Sequence, residues 1–128
     1  MKKLKVLIVD DSSVMRKIIE RSLRQAGLDL SEVWEAANGA EGLAVLQKGT
    51  PDMILSDINM PVMDGLEFLK SLATVETAKG VPVVMITTEG SEARVVEALS
   101  AGAKGYLRKP FTAEQVKERV SPLLAGAQ

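Results

Sequence analysis

Three short apolar runs, Val6 to Val9, Met53 to Leu55 and Val83 to Ile86, each stop at acidic or hydroxyl residues, and each is followed by a stretch with helical spacing. Runs this short and this uniformly apolar suit strands buried on both faces, which is the condition of strands inside a parallel sheet. The intervening stretches carry a helical period. Met15, Ile18, Ile19, Ser22, Leu23 and Ala26 share one face, as do Leu66, Leu69, Leu72 and Ala73, and again Val116, Val120, Leu123 and Leu124. Two weaker strands are predicted at Val33 to Ala36, which mixes charge with apolar residues, and at the brief Gly105 to Leu107; strands of this kind belong at sheet edges. Helices are also predicted from about 38 to 48, with Ala40, Leu43 and Leu46 on one face, and from about 91 to 101.

Strand and helix therefore alternate strictly, which predicts an α/β doubly wound three-layer sandwich with right-handed crossovers. With the three apolar strands central and the other two at the edges, the five-stranded parallel sheet takes the flavodoxin-like order 2-1-3-4-5. At 128 residues the chain suits one domain, and no repeat, linker or low-complexity tract divides it. The tail Ala125 to Gln128 is too short to hold an output domain, so residues 1–128 are expected to form a single unit.

Composition narrows the chemistry. Sixteen basic residues against 17 acidic ones give a net charge of -1, which offers no reason to expect nucleic acid. Cysteine and histidine are both absent, which removes disulfides, the usual zinc sites, serine–histidine triads and phosphohistidine carriage together. Chemistry must run on carboxylates, hydroxyls, lysine and backbone. The start Met1-Lys2-Lys3-Leu4-Lys5 has the charge of a signal-peptide n-region, but the following apolar run ends at two aspartates and is too short to be an h-region. With no stretch long enough to span a bilayer, the expected location is the cytoplasm and no membrane partner is expected.

In an open parallel sheet ligands bind beyond the carboxyl ends of the strands, near the point where the strand order reverses. Here strand one ends in Asp10-Asp11, strand three in Asp57, strand four in Thr87-Thr88, and strand five is followed by Lys109-Pro110. Asp10 and Asp11 have an ordinary reading as helix caps, but Ser12 and Ser13 can cap at lower electrostatic cost. Asp57 has one as a turn residue before Asn59 and the Met60-Pro61 break, Thr87 as a β-branched strand residue, and Lys109 as a solvated loop lysine. Together the three carboxylates repel unless protonated or neutralised. Hard oxygen ligands without nitrogen or sulfur select Mg²⁺, Mn²⁺ or Ca²⁺, and an open site that keeps several waters suits Mg²⁺. A carboxylate beside such a cation and an ammonium can attack phosphorus to give an aspartyl phosphate.

The ordered set Val9-Asp10-Asp11-Ser12, Ser56-Asp57-Ile58-Asn59-Met60-Pro61-Val62-Met63-Asp64-Gly65, Ile86-Thr87-Thr88 and Lys109-Pro110-Phe111 resembles the receiver domain of two-component response regulators over essentially the whole chain. The resemblance implies that Asp57 is the phosphoacceptor. It also implies that Asp11 ligates Mg²⁺ directly, that Asp10 holds metal-bound water, and that Asn59 contributes its backbone carbonyl. Thr87 and Lys109 would contact the phosphoryl group, and Tyr106 would swing inward as the switch aromatic when Thr87 moves. The Lys109-Pro110 bond is expected to be cis. The absence of an output domain together with Asn59, Glu89 and Tyr106 is most similar to the stand-alone chemotaxis type, in which Asn59 and Glu89 tune how water removes the phosphoryl group. Thr88 departs from the alanine frequent there, which bears on how freely the ring turns. The segment Glu89-Gly90-Ser91-Glu92 reads as a loop able to reorganise, or as a helix start capped by Ser91.

The implied partners are a sensor histidine kinase as phosphodonor and a downstream protein, such as a flagellar motor switch component, on the face formed by residues 92–124; the chain is expected to be a monomer. Other readings are a stand-alone phosphorelay receiver outside chemotaxis, a receiver-like binding module, a haloacid-dehalogenase-like phosphatase, or a flavodoxin-like FMN binder. The phosphatase needs a second aspartate where Asn59 stands, and the FMN binder needs a hydroxyl- and glycine-rich first loop where Asp10-Asp11 stand.

Overall fold

A computed structural model describes residues 3–88 and 92–125. The expectations placed on Met1, Lys2, Glu89, Gly90, Ser91 and the last three residues of the tail lie outside the described residues. The elements run β1 (Leu4–Val9), α1 (Ser13–Gln25), β2 (Leu30–Ala36), α2 (Gly39–Leu46), β3 (Met53–Asp57), α3 (Gly65–Leu72), a 3-10 turn (Glu76–Ala78), β4 (Val83–Thr87), α4 (Glu92–Ser100), β5 (Gly105–Arg108) and α5 (Ala113–Ala125). All four strand pairings are parallel and the order is β2-β1-β3-β4-β5, the predicted α/β doubly wound sheet.

The apolar runs are explained by two cores, one on each face of the sheet. Because successive strand residues point to opposite faces, Val6 and Ile8 join Leu55, Val84 and Ile86 beneath Ile19 and Leu23 of α1 and Val116, Val120 and Leu124 of α5. Leu7 and Val9 join Ile54 and Met85 on the other face, against Leu46 of α2, Leu66, Phe68, Leu69 and Leu72 of α3, and Val95 and Ala98 of α4. A central strand with both faces covered has no room for polar alternation.

The main departures from the predicted elements lie where polar residues interrupt the pattern. β2 starts at Leu30, three residues early, because buried Leu30 pairs with Leu4 while the exposed Ser31 and Glu32 hide the strand in sequence. β3 and β4 continue through Asp57 and Thr87, which stay in register with Ile86 and Arg108. The sheet thus carries these two candidate site residues on its own strand ends. The 3-10 turn Glu76–Ala78 was not predicted; it is tied to α2 by the Thr77 hydroxyl, which donates to the Leu46 carbonyl at 2.9 Å. Among the described residues no helix is long and apolar enough to cross a membrane.

Candidate functional site

β1 and β3 are neighbours, yet the chain leaves them toward opposite faces of the sheet, α1 packing on one and α3 on the other, so a crevice opens between their carboxyl ends. Asp10 stands at the end of β1, 1% exposed. Its N–H donates to the Ala36 carbonyl at 3.0 Å, Oδ1 accepts from the Ser12 N–H at 2.9 Å, and Oδ2 accepts from Lys109 Nζ at 3.1 Å. The Asp10 carbonyl accepts from Arg16 Nη1 at 2.6 Å. Capping of α1 falls to Ser12, whose hydroxyl accepts from the Met15 N–H at 3.1 Å. Neither aspartate is the cap of that helix, so the first acidic pair is available for other chemistry.

Asp57 closes β3. Its Oδ1 accepts from the Ile58 N–H at 2.8 Å and its Oδ2 lies 3.6 Å from Lys109 Nζ. One carboxylate oxygen from each of Asp10, Asp11 and Asp57 falls within 4.8 Å of the others, with Asp11 exposed and the other two buried. Burial pushes the Asp57 carboxyl up, the Lys109 ammonium opposes it, and Asp10 and Asp11 push it up again, so it lies above the ordinary aspartate range. Among the described residues, the Lys109 ammonium does not by itself balance three carboxylates. A small, hard divalent cation would, and the all-oxygen donor set fits one.

Of the other predicted residues, Thr87 and Lys109 stand on the same rim, at the end of β4 and just past the end of β5. The Lys109 N–H donates to the Thr87 carbonyl at 2.7 Å, which ties the end of β5 to the end of β4, and the Lys109-Pro110 bond is cis as expected. Thr87 is buried, and its hydroxyl donates to the Thr88 carbonyl at 3.2 Å. Tyr106 is half-buried on β5 and shares with Thr87, Thr88, Val95 and Leu99 the lining of a cavity of about 260 Å³ under α4. The Arg119 guanidinium lies 5.0 Å from the centroid of the Tyr106 ring. Asn59 is exposed in the loop after β3, and Glu89 lies outside the described residues.

Several supporting residues were not singled out in the sequence. Gly65 opens α3 directly against β3: its N–H donates to the Ile58 carbonyl at 2.7 Å, and a Cβ there would collide with the Asp57 carbonyl oxygen. The glycine after Met63-Asp64 was visible, but not what it touches. Asp64 caps α3 in a reciprocal capping box with Glu67 and meets Arg94 of α4 at 2.9 Å. Arg16 bridges Asp10 to Glu35 of β2, with Nε 2.8 Å from Glu35 Oε1. Only a charged residue on an edge strand, facing a basic helix, hinted at that pair.

A family model for the response regulator receiver domain matches residues 6–121. Among curated proteins, the chain is 42% identical over 122 residues to chemotaxis protein CheY-3 of Vibrio cholerae serotype O1, covering 95% of this chain and 92% of that protein. It is 41% identical over 122 residues to a chemotaxis protein CheY homolog of Campylobacter jejuni, covering 94% and 92%. Among solved structures, chemotaxis response regulator CheY4 of Vibrio cholerae superposes with a TM-score of 0.82 at 41% identity, covering 96% of this chain and all of that one (100%).

Proposed function

The chain belongs to the response regulator receiver family, and we propose that Asp57 is the residue on which this phosphoacceptor switch carries its phosphoryl group. Receiver domains of this kind are signalling phosphoacceptors with slow intrinsic autophosphatase activity, and do not turn over an external substrate. One observation carries the assignment: of the two buried carboxylates, Asp10 has both oxygens hydrogen-bonded, to the Ser12 N–H and Lys109 Nζ, whereas Asp57 engages only Oδ1, with the Ile58 N–H, and among the described residues leaves Oδ2 without a hydrogen bond, 3.6 Å from the Lys109 ammonium. An attacking oxygen there has a cation already placed beside the charge that must build up.

In the proposed transfer, the P–N bond of a kinase phosphohistidine breaks with its electron pair leaving on the imidazole, while a P–O bond to an Asp57 carboxylate oxygen forms. Mg²⁺ is the ion we assign to this donor set: Asp11, Asp57 and the Asn59 carbonyl would hold it directly and Asp10 through bound water, and it would supply neutralisation of charge on the transferring oxygens. Lys109 holds the same charge from the other side. Thr87 gives up the Thr88 carbonyl and donates its hydroxyl to a phosphoryl oxygen; Tyr106 then moves into the cavity under α4. Asn59 and Glu89 tune the return reaction with water.

The output face is α4, β5 and α5, where Val96 and Leu99 are exposed large apolar residues. A cognate histidine kinase and a downstream effector are the partners that the family relationship supports. A flagellar switch component is the specific target we propose, on the strength of the chemotaxis relatives, for a chain working as a single cytoplasmic unit. The test is incubation with acetyl phosphate with and without Mg²⁺, followed by mass spectrometry of intact and digested protein. A Mg²⁺-dependent gain of one phosphoryl group on the Asp57 peptide, absent in Asp57→Asn, is the expected result. A folded, Mg²⁺-binding protein that stays unmodified would leave only a binding module.

A further inference from the structure

Asp10 is fixed at every polar group it possesses. Its N–H is held by Ala36, its two carboxylate oxygens by Ser12 and Lys109, and its carbonyl by Arg16. The last contact is unlike the others. The β1–β3 ladder ends at the Val9 and Ser56 pair, so the Asp10 carbonyl lies beyond the last ladder pair with β3 while the residue is still buried. A buried carbonyl without a donor costs free energy, and here the donor is a guanidinium from the first turn of α1. Arg16 is itself locked: only 16% of its side chain is exposed, and Nε is bonded to Glu35 Oε1 at 2.8 Å. The other Glu35 oxygen accepts from Lys17 Nζ at 3.0 Å. Arginine suits this place because its planar fork presents separate N–H groups to a carboxylate and a carbonyl at once.

We propose that Arg16 is a positioning residue of the phosphoacceptor site: braced by Glu35, it sets the Asp10 carbonyl and with it the direction in which the Asp10 and Asp11 carboxylates face Asp57. The inference rests on the reading of that site as a Mg²⁺-assisted phosphoacceptor. The peptide group that joins Asp10 to Asp11 contains the carbonyl that Arg16 grips. The ψ of Asp10 and the φ of Asp11 are the two rotations about that plane, so holding its carbonyl restricts both, and a contact on the main chain bears on where two side chains are carried.

Simple charge and positioning make opposite demands on a variant. Arg16 carries a positive charge next to an anionic cluster, so its removal on Coulombic grounds alone would strengthen cation binding. If Arg16 positions the acidic pair, its removal weakens binding. Titration calorimetry with MgCl₂ on the whole unphosphorylated protein reads the sign directly, with circular dichroism and thermal melts on each variant as the check on folding. The expected result for Arg16→Ala is Mg²⁺ affinity lower by about 10-fold to 100-fold, the usual cost of losing a group that orients a metal ligand. Arg16→Lys keeps the charge and loses the fork, and is expected to fall between the two. Lys17→Ala removes the neighbouring ion pair to Glu35 and should bind as the natural protein does. If Arg16→Ala does not fold, Arg16→Lys decides. Unchanged or tighter Mg²⁺ binding in the folded Arg16 variants, whatever their melting points, would overturn the positioning role while leaving the site reading intact. Failure of the natural protein to bind Mg²⁺ would overturn the site reading itself, and the role of Arg16 with it.

Discussion

Val62 sits in the loop between β3 and α3 at φ 69°, the one non-glycine residue at positive φ among those described, and it is 82% exposed. The Met63 N–H donates to the Pro61 carbonyl at 2.7 Å, so Val62 is the centre of a three-residue turn of the rare, strained kind. A β-branched side chain is poorly suited to that conformation, and exposure denies it any packing in return. What the turn accomplishes is placement: the Met63 carbonyl accepts from the Gly39 N–H at 3.0 Å, and Asp64 then starts α3 beneath Asp57. Strain of this type costs roughly 1–3 kcal/mol, and glycine relieves it while giving back up to about 1 kcal/mol of chain entropy. Val62→Gly is therefore expected to raise the unfolding free energy by about 1 kcal/mol in urea titrations, the difference between those two effects. A lower midpoint would mean that the valine side chain has a partner of value despite its exposure.

α3 shows how an element can be tuned by its first residue. Asp64 accepts from the Glu67 N–H at 2.9 Å and receives Arg94 Nη2 at 2.9 Å, so one carboxylate both caps α3 and ties it to α4. Burial raises its titration point, but the Glu67 amide and the Arg94 guanidinium outweigh that and hold the carboxyl below the ordinary aspartate range. A depressed folded-state value means stability that is present above the unfolded value and is lost as pH falls through the folded one. Asn caps about as well as Asp but carries no charge. Asp64→Asn should thus match the natural protein below the folded value and fall behind it above about pH 4, the ordinary aspartate value, by roughly 0.2–1 kcal/mol, the range for a partly exposed pair. Asp64→Ala should lose about 1 kcal/mol more at every pH, because the cap is gone. Chemical denaturation of the three proteins from acid to neutral pH measures both differences. A pH-independent gap between the natural protein and Asp64→Asn would assign the effect to capping alone.

At the scale of the whole molecule, the carboxyl edge of the sheet is where folding and function pull apart. That edge was legible in the sequence because strand order and chain polarity send the ends of β1, β3, β4 and β5 to one rim, and Asp10, Asp11, Asp57, Thr87 and Lys109 follow from reading the residues just past each apolar run. Arg16, Gly65 and Arg119 were not legible, since each acts through the direction of a bond or the closeness of an approach that spacing does not encode. β2 was misplaced at its start for a related reason, an edge strand whose exposed Ser31 and Glu32 break the pattern its backbone keeps. The same rim gathers three carboxylates around one ammonium, and its cost can be measured. Asp57 titrates above its ordinary range because burial, with help from Asp10 and Asp11, disfavours its charge. A raised folded-state value contributes stability that is full below the unfolded value and is lost as pH rises through the folded one. Above the unfolded value the Asp57 carboxyl therefore works against folding, and Asp57→Asn, which keeps an oxygen for the Ile58 N–H, should melt higher than the natural protein at neutral pH in EDTA. The advantage should shrink as the pH falls toward the ordinary aspartate value. Mg²⁺ should reverse the order, because an ion that binds only the folded state at about 100 times its dissociation constant adds roughly 2.7 kcal/mol, and the natural site holds it better. Melting curves of both proteins at neutral and acid pH, with EDTA and with Mg²⁺, decide the matter. If Asp57→Asn melts lower in EDTA at neutral pH, the Lys109 pair outweighs the crowding, and the acidic rim is a stabilising network even without a cation.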